Sequence, residues 1–370
     1  MPLITLDYQD ASTRMLSPVA PQPDHSKTFV HYLPLGATVL LLLAPHPSVI
    51  FVVVKYHLLT LEEPLLLFVH LAAIYTLSFL AFSSLIVCVA RDPGPVNSVD
   101  EAGRGEGDGL MMSTVSDDVD FNGPGKWCRE CWAPKPERTH HCSHCGRCVL
   151  KMGNVDPLLP PFSPLTTTAQ ITIARGLGHR TYPAFVHFLT SVTLLATYIA
   201  FVNGSALWFA FNNVLAIDEA IYLHELSLFF AGVIFALVIG SFLFYHVYLI
   251  STNQTTIENL SPFMLLRHLP PLPASNNAGR ILSDPPSEHE LTYEQRYIVR
   301  EAHGAIRLYD IGLRRNWAQV FGWERRWGWV PRLLHGGGSK GDGRSFVRNP
   351  RSDDMLATLA TELVKAGKDN

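Results

Sequence analysis

The stretch that decides the reading is Cys128-Arg-Glu-Cys131-Trp-Ala-Pro-Lys-Pro-Glu-Arg-Thr-His140-His141-Cys142-Ser-His144-Cys145-Gly-Arg-Cys148, which holds five of the chain's six cysteines. Two Cys-x-x-Cys pairs, a further cysteine and adjacent histidines supply thiolate and imidazole donors at the spacing that a tetrahedral zinc ion requires. A disulfide cluster is the alternative. Zinc is preferred because the charge pattern below places this segment in the reducing cytosol. The Pro- and Arg-rich sequence around the donors offers almost no apolar core, so metal binding is expected to drive its folding.

Outward from this module, 370 residues with 48% hydrophobic and 16% charged content are too apolar for an ordinary soluble multidomain protein. The apolar residues are clumped into four runs near the roughly 20 residues that cross a bilayer core: Leu33 to Val54, Pro64 to Ala90, Tyr182 to Val202 and Leu228 to Ile250. The expected fold class is therefore an α-helical integral membrane protein with a zinc-binding, cysteine-rich module between the second and third membrane helices. A formal net charge of −3 argues against a nucleic-acid partner.

The chain divides into a polar N-terminal tail (1–32), helices one and two (33–90), a linker (91–125), the cysteine-rich module (126–181), helices three and four (182–250) and a C-terminal tail (251–370). The tail has no order of charged, apolar and small residues that would make a signal peptide. Pro45 and Pro47 are expected to kink or interrupt the first run, two short interfacial helices being the alternative. The segment Lys55 to Glu63 reads as a short link. His70 and Cys88 read as packing residues of the second helix. Arg91-Asp92-Pro93-Gly94-Pro95 stops that helix, and the acidic, Gly- and Ser-rich Val96 to Asp120 reads as flexible.

No Lys or Arg occurs from Thr181 to Leu266, whereas the segments before and after are rich in them. The positive-inside rule therefore places the module and both tails in the cytosol. On that orientation Asn253, in a formal Asn-Gln-Thr acceptor, cannot be glycosylated, and Asn203 in Asn-Gly-Ser hugs the membrane. Beyond a Pro-rich connector, Leu269 to Pro286, the segment Tyr309 to Gly322 interleaves aromatic residues with Arg. It reads either as an element docked at the membrane surface or as a solvated basic patch. Met355 to Lys365 has weak helical periodicity and no assigned role.

Together these features resemble the DHHC-type protein S-acyltransferases, or palmitoyltransferases. The resemblance rests on the module between helices two and three, Asp92-Pro93-Gly94 just after helix two, Thr255-Thr256-Ile257-Glu258 just after helix four, and the Asn316-containing tail motif. It runs from Leu33 to about Gly322. It implies two zinc sites, each with three cysteines and one histidine. Cys128, Cys131, His141 and Cys148 match the first site in full, and Cys142 with Cys145 match half of the second.

The family pattern breaks after Lys151-Met152, where Asp-His-His-Cys-Pro-Trp is expected, and rejoins at Gly178-His179-Arg180-Thr181-Tyr182. In between, residues 153–177 contain no cysteine and no histidine. Both the nucleophile and the rest of the second zinc site are missing, so no catalytic residue is assigned. Thr139-His140-His141-Cys142 is not a degenerate copy of the motif, because Ser-His follows it and the family carries zinc-ligating His-Cys at this place.

In the family, the cysteine thiolate attacks an acyl-CoA thioester, forms an acyl-enzyme and passes the acyl group to a substrate cysteine. Ser163 is a poor replacement, since its hydroxyl lacks thiolate nucleophilicity and no Asp-His pair adjoins it. The segment 153–177 is either non-coding sequence translated in place of a short exon or a lineage change that produced a pseudoenzyme. The resemblance implies palmitoyl-CoA as co-substrate, membrane-associated protein substrates with cytosolic cysteines, and an endomembrane location in the ER, Golgi or vacuole. Alternatives are a catalytically dead scaffold, and a four-helix transporter or channel with a zinc-stabilised loop. Sparse intramembrane charge argues against the last.

Overall fold

The computed structural model describes residues 33–94, 127–128, 130–131, 133–142, 146–151, 153, 177–213, 219–271, 283, 285–322 and 337–367. The first membrane run folds as α1 (Leu33–Leu43) and α2 (Pro45–Val53), which continues into a π-helical turn, Val54–Thr60. Pro45 opens α2, and Ala44, still helical in its backbone, donates its N–H to Leu40 O at 2.8 Å. The prolines thus interrupt the hydrogen-bond ladder without ending the helical path, as their missing N–H groups dictate. The π turn absorbs most of the expected 55–63 link, and only residues 61–63 separate it from α3 (Pro64–Ala90).

Two further helices are longer than their apolar runs suggest. Helix α4 (Tyr182–Asn212) continues ten residues past Val202, and α5 (Glu219–Ser251) begins nine before Leu228. The polar residues that seemed to end the third run hydrogen-bond the helix's own carbonyls. Asn203 donates to Ile199 O at 2.8 Å, and Ser205 donates to Val202 O at 2.8 Å. Asn203 is therefore a buried helical residue. Trp208, beyond the end of the apolar run at Val202, stands on α4.

These four spans are each long and apolar enough to cross a membrane. Helix α4 is central, packed between α3 and α5. A Cβ on Gly232 would lie 2.9 Å from Ala196 O and Ala200 N, so α4 and α5 meet backbone to backbone. One apolar cluster joins Val49, Val52, Ile74, Leu195, Ile199 and Leu228, and a second joins Ala81, Leu85, Phe185, Leu189 and Ile239 at the end nearer the cysteine-rich module.

The segment after α5 is a folded unit. It comprises α6 (Thr256–Leu260), a 3-10 turn (Pro262–His268), α7 (Tyr293–Ala305), α8 (Leu313–Phe321) and α9 (Pro350–Ala366). Helix α7 starts with a reciprocal Thr292/Gln295 capping box. Its Val299 packs with Leu266, Ile306, Leu356, Leu359 and Leu363, so the weakly periodic C-terminal segment is a core helix of this unit. Helix α8 buries Val320 and Phe321 against Val186 of α4 and Ile250 of α5, while Leu313, Arg314 and Arg315 stay exposed. The element is thus an ordered helix packed on α4 and α5.

Candidate functional site

The cysteine-rich segment forms two minimal antiparallel hairpins. Strands β1 (Trp127–Cys128) and β2 (Ala133–Pro134) pair through Cys128 and Ala133, and β3 (His140–Cys142) and β4 (Arg147–Val149) pair His141 with Cys148. Such short ladders are marginal in water by themselves. The hairpins bring Cys128, Cys131, His141 and Cys148 together with all donor atoms within 4.8 Å of one another. His141 Nδ1 lies 3.2 Å from Cys131 Sγ and 3.6 Å from Cys128 Sγ. Those separations suit a tetrahedral ion with Zn–S near ~2.3 Å and Zn–N near ~2.0 Å.

The chemistry of the donors also fits a cation. Burial, followed by the neighbouring Cys128 and Cys131 sulfurs, pushes the Cys148 thiol up. Burial likewise opposes ionising Cys128, but the backbone N–H of Cys131 and the Cys148 thiol outweigh it and bring it to about 7. Three crowded sulfurs resist ionising together, and a central cation removes that conflict. Glu130 Oε2, 2.5 Å from His141 Nε2, fixes the ring with Nδ1 turned to the sulfurs. The sequence reading missed Glu130, although its place inside the first Cys-x-x-Cys pair is a usable signal.

Of the expected half-site, Cys142 is buried on β3 and packs with Val149. Cys145, His144 and the Ser163-containing segment lie outside the described residues. Among the described residues, His179 Nε2 donates to Gly341 O at 3.2 Å and its Nδ1 is buried without a partner.

The motif residues clamp this module to the bundle. Asp92 Oδ1 accepts from Gly94 N at 2.9 Å and its Oδ2 pairs with Arg147 at 3.1 Å. Gly94 O accepts from Leu150 N, and Pro93 O accepts from Arg180 N. A Cβ on Gly178 would lie 2.3 Å from Pro93 O, so the chain can re-enter α4 here only as glycine. Gly153 N donates to Leu177 O at 3.1 Å, which joins the two stems of the departing segment directly.

Glu258 is the centre of the second clamp. Thr255 caps α6 and forms a reciprocal capping box with it, and Thr256 is buried facing Gly153. The Glu258 carboxylate takes Arg138 Nε at 2.7 Å and Nη2 at 2.8 Å. Arg138 also donates to Asn253 Oδ1 at 3.2 Å and Asn253 O at 2.9 Å, and its guanidinium lies between the rings of Tyr309 (4.3 Å) and Phe346 (4.9 Å). Burial alone would raise the Glu258 carboxyl, but Arg138 holds it below the usual carboxylate range. Arg138, Lys151 and Asn253 all have positive φ (61°, 44° and 49°), so three non-glycine residues at this junction store backbone strain.

Asn316 is fully buried. It donates to Ser251 O and Asp310 Oδ1, both at 2.8 Å, and accepts from Ile311 N at 3.1 Å, which locks α8 to the end of α5. A strap, residues 337–349, completes the junction. Ser339 donates to His179 O at 2.5 Å, and Phe346 covers Arg138 and Lys151. No sequence pattern announced this strap.

The sequence profile described as DHHC palmitoyltransferase matches residues 122–154 and 171–262. Over those residues the chain is similar to the DHHC palmitoyltransferase family. The interruption in the DHHC palmitoyltransferase match falls within the segment between Gly153 and Leu177. Palmitoyltransferase PFA3 of Gibberella zeae is 34% identical over 162 residues, covering 44% of this chain and 26% of that protein. Palmitoyltransferase PFA3 of Yarrowia lipolytica is 25% identical over 262 residues, 67% of this chain and 56% of its own length. Palmitoyltransferase ZDHHC15 of Xenopus laevis is 25% identical over 241 residues, 65% and 55% of the two chains. The chain thus spans between about a quarter and just over half of these relatives.

Proposed function

We propose that this chain is a membrane-embedded relative of protein S-palmitoyltransferases that keeps the acyl-CoA and substrate-binding frame but lacks the nucleophile. The observation that carries this reading is the Gly153–Leu177 junction. Both clamps and the four-donor cluster surround it, yet the 25-residue segment 153–177 has no cysteine and no histidine. An intact relative would form a thioester between its cysteine sulfur and the acyl carbonyl, releasing CoA thiol, before transfer to a substrate thiol. This chain has no thiol to start that sequence. Cys88 is half-buried on α3, and the described cysteines of the module face the metal cluster or the β3/β4 core.

Zinc, bound by Cys128, Cys131, His141 and Cys148, would neutralise the thiolates and fix the module's fold. The second site remains incomplete with only Cys142 and Cys145. Lys/Arg placement supports a cytosolic module and cytosolic termini on an endomembrane. Incubation with labelled palmitoyl-CoA tests the reading. The chain should form no hydroxylamine-sensitive adduct, while replacing 153–177 with an Asp-His-His-Cys-Pro-Trp segment ending in cysteine should restore one. Autoacylation of the unmodified chain would refute the loss of the nucleophile, with Cys142 the first residue to check. A repaired chain that binds zinc and inserts but does not acylate would favour a scaffold whose frame has itself diverged.

A further inference from the structure

At the end of the bundle away from the cysteine-rich module, two histidines stand ring to ring. His57 sits on the π-helical turn Val54–Thr60, and His70 sits on α3, about 9 Å along that helix from Pro64. Their ring centroids are 4.5 Å apart with an interplanar angle of 33°. His57 is 2% exposed, and neither of its ring nitrogens has a hydrogen-bond partner. π-helical turns are rare and concentrate at functional sites, and an ionisable side chain within a membrane span is costly unless it is used.

A neutral imidazole carries one N–H and one lone pair, so His57 has an unmet lone pair in either tautomer. His70 is prepared differently. Its Nδ1 lies 2.8 Å from the Tyr198 hydroxyl. With Nδ1–H donating to the Tyr198 oxygen, Nε2 carries the lone pair, which is how a metal-binding histidine is commonly held by an oxygen behind it. A cation between the rings satisfies both lone pairs at once. Glu62 and Glu63 are exposed beside this turn, and Glu63 N donates to His57 O at 2.9 Å, so two carboxylates set against Lys55 draw cations to this rim. Burial does not bar an ion, since Cys128 and Cys148 of the four-donor cluster are each 3% exposed. Half-buried His70 marks the way in.

The spacing also selects the metal. An ion ~2.0 Å from a ring nitrogen lies about 3.2 Å from that ring's centroid. Two rings at right-angled positions on one ion then have centroids about 4.5 Å apart, and at tetrahedral positions about 5.2 Å. The observed 4.5 Å fits the right angle. Right-angled nitrogen donors suit tetragonal Cu²⁺, which also heads the affinity order of the divalent metals, whereas zinc takes the wider tetrahedral angle. We propose that His57 and His70 form a Cu²⁺ site that pins the end of the first span to α3, with Tyr198 orienting His70 and water completing the coordination.

The test uses the full chain in detergent micelles, its cysteine cluster loaded with zinc before Cu²⁺ is added. One further Cu²⁺ per chain should bind, with electron paramagnetic resonance showing coupling to two imidazole nitrogens and no sulfur-to-copper absorption. His57→Phe and His70→Gln should each weaken it by at least about 100-fold, and Tyr198→Phe by about 10-fold, the loss expected of an orienting partner. Zn²⁺ should compete poorly. A copper signal without imidazole coupling, a sulfur-to-copper band, or binding that neither histidine variant weakens would overturn the proposal. Zn²⁺ binding here more tightly than Cu²⁺, or no copper uptake at all, would do the same. The spectrum of the unaltered protein decides even if a histidine variant misfolds.

Discussion

Glu258→Gln isolates the charge of the central clamp. Glutamine still closes the capping box with Thr255, so α6 keeps its start, but Arg138 loses its carboxylate partner. Its side chain is 1% exposed, and the Glu258 side chain is 14% exposed. Removing one partner of a buried pair costs about 3–5 kcal/mol, because the remaining charge stays desolvated. Asn253 and the Tyr309 and Phe346 rings still contact the guanidinium, which places the expected loss at the lower end, about 3 kcal/mol. For a folded unit of this size that corresponds to a fall in Tm of roughly 6–12 °C. Thermal unfolding of the detergent-solubilised protein, followed by size-exclusion fluorescence, measures it. Arg138→Met combined with Glu258→Gln removes both charges and should recover part of the loss, giving a coupling of about 2 kcal/mol or more. A Tm shift below about 2 °C for Glu258→Gln, or additive losses in the double variant, would show that this pair does not hold the module to the bundle.

Gly178→Ala should destabilise the module's return into α4 by about 2–3 kcal/mol, since the new Cβ meets a backbone carbonyl that cannot rotate away; an unchanged Tm would refute that account. Metal analysis should find close to one chelator-resistant zinc per chain, lost in Cys131→Ala, and Glu130→Ala should weaken its binding about 10–100-fold by freeing the His141 ring. Two resistant zincs per chain would mean that a second donor set exists. Burial, with Lys151 adding to it, pushes the His179 imidazole down to about 4. A neutral histidine in the fold contributes stability that is complete above its ordinary value near ~6.5 and lost as pH falls from there toward about 4. Unfolding between pH ~6.5 and ~5 should therefore steepen in the unaltered protein and flatten in His179→Asn; identical slopes would exclude His179 as the source.

The membrane helices and the metal donors were legible because both are written locally. Apolar run length marks a span whatever it packs against, and the four donors are close in sequence, His141 facing Cys148 in one hairpin and Cys128 and Cys131 belonging to the neighbouring one. Helix ends were less legible. Asn203 and Ser205 look like a terminus until their side chains are seen to bond the helix's own carbonyls. The least legible parts were the long-range ones. Arg138 and Glu258 are 120 residues apart, and Phe346 reaches the same spot from a strap with no pattern of its own. Only the fold shows that the strained backbone at Arg138, Lys151 and Asn253 surrounds one carboxylate.

The bond between Gly153 N and Leu177 O makes the intervening segment a cassette. Its two ends meet whatever lies between them, and doubling such a loop costs only about 0.6 kcal/mol in closure entropy. Exchanging this single stretch would therefore leave the Arg138–Glu258 and Asp92–Arg147 pairs and the four-donor cluster in place.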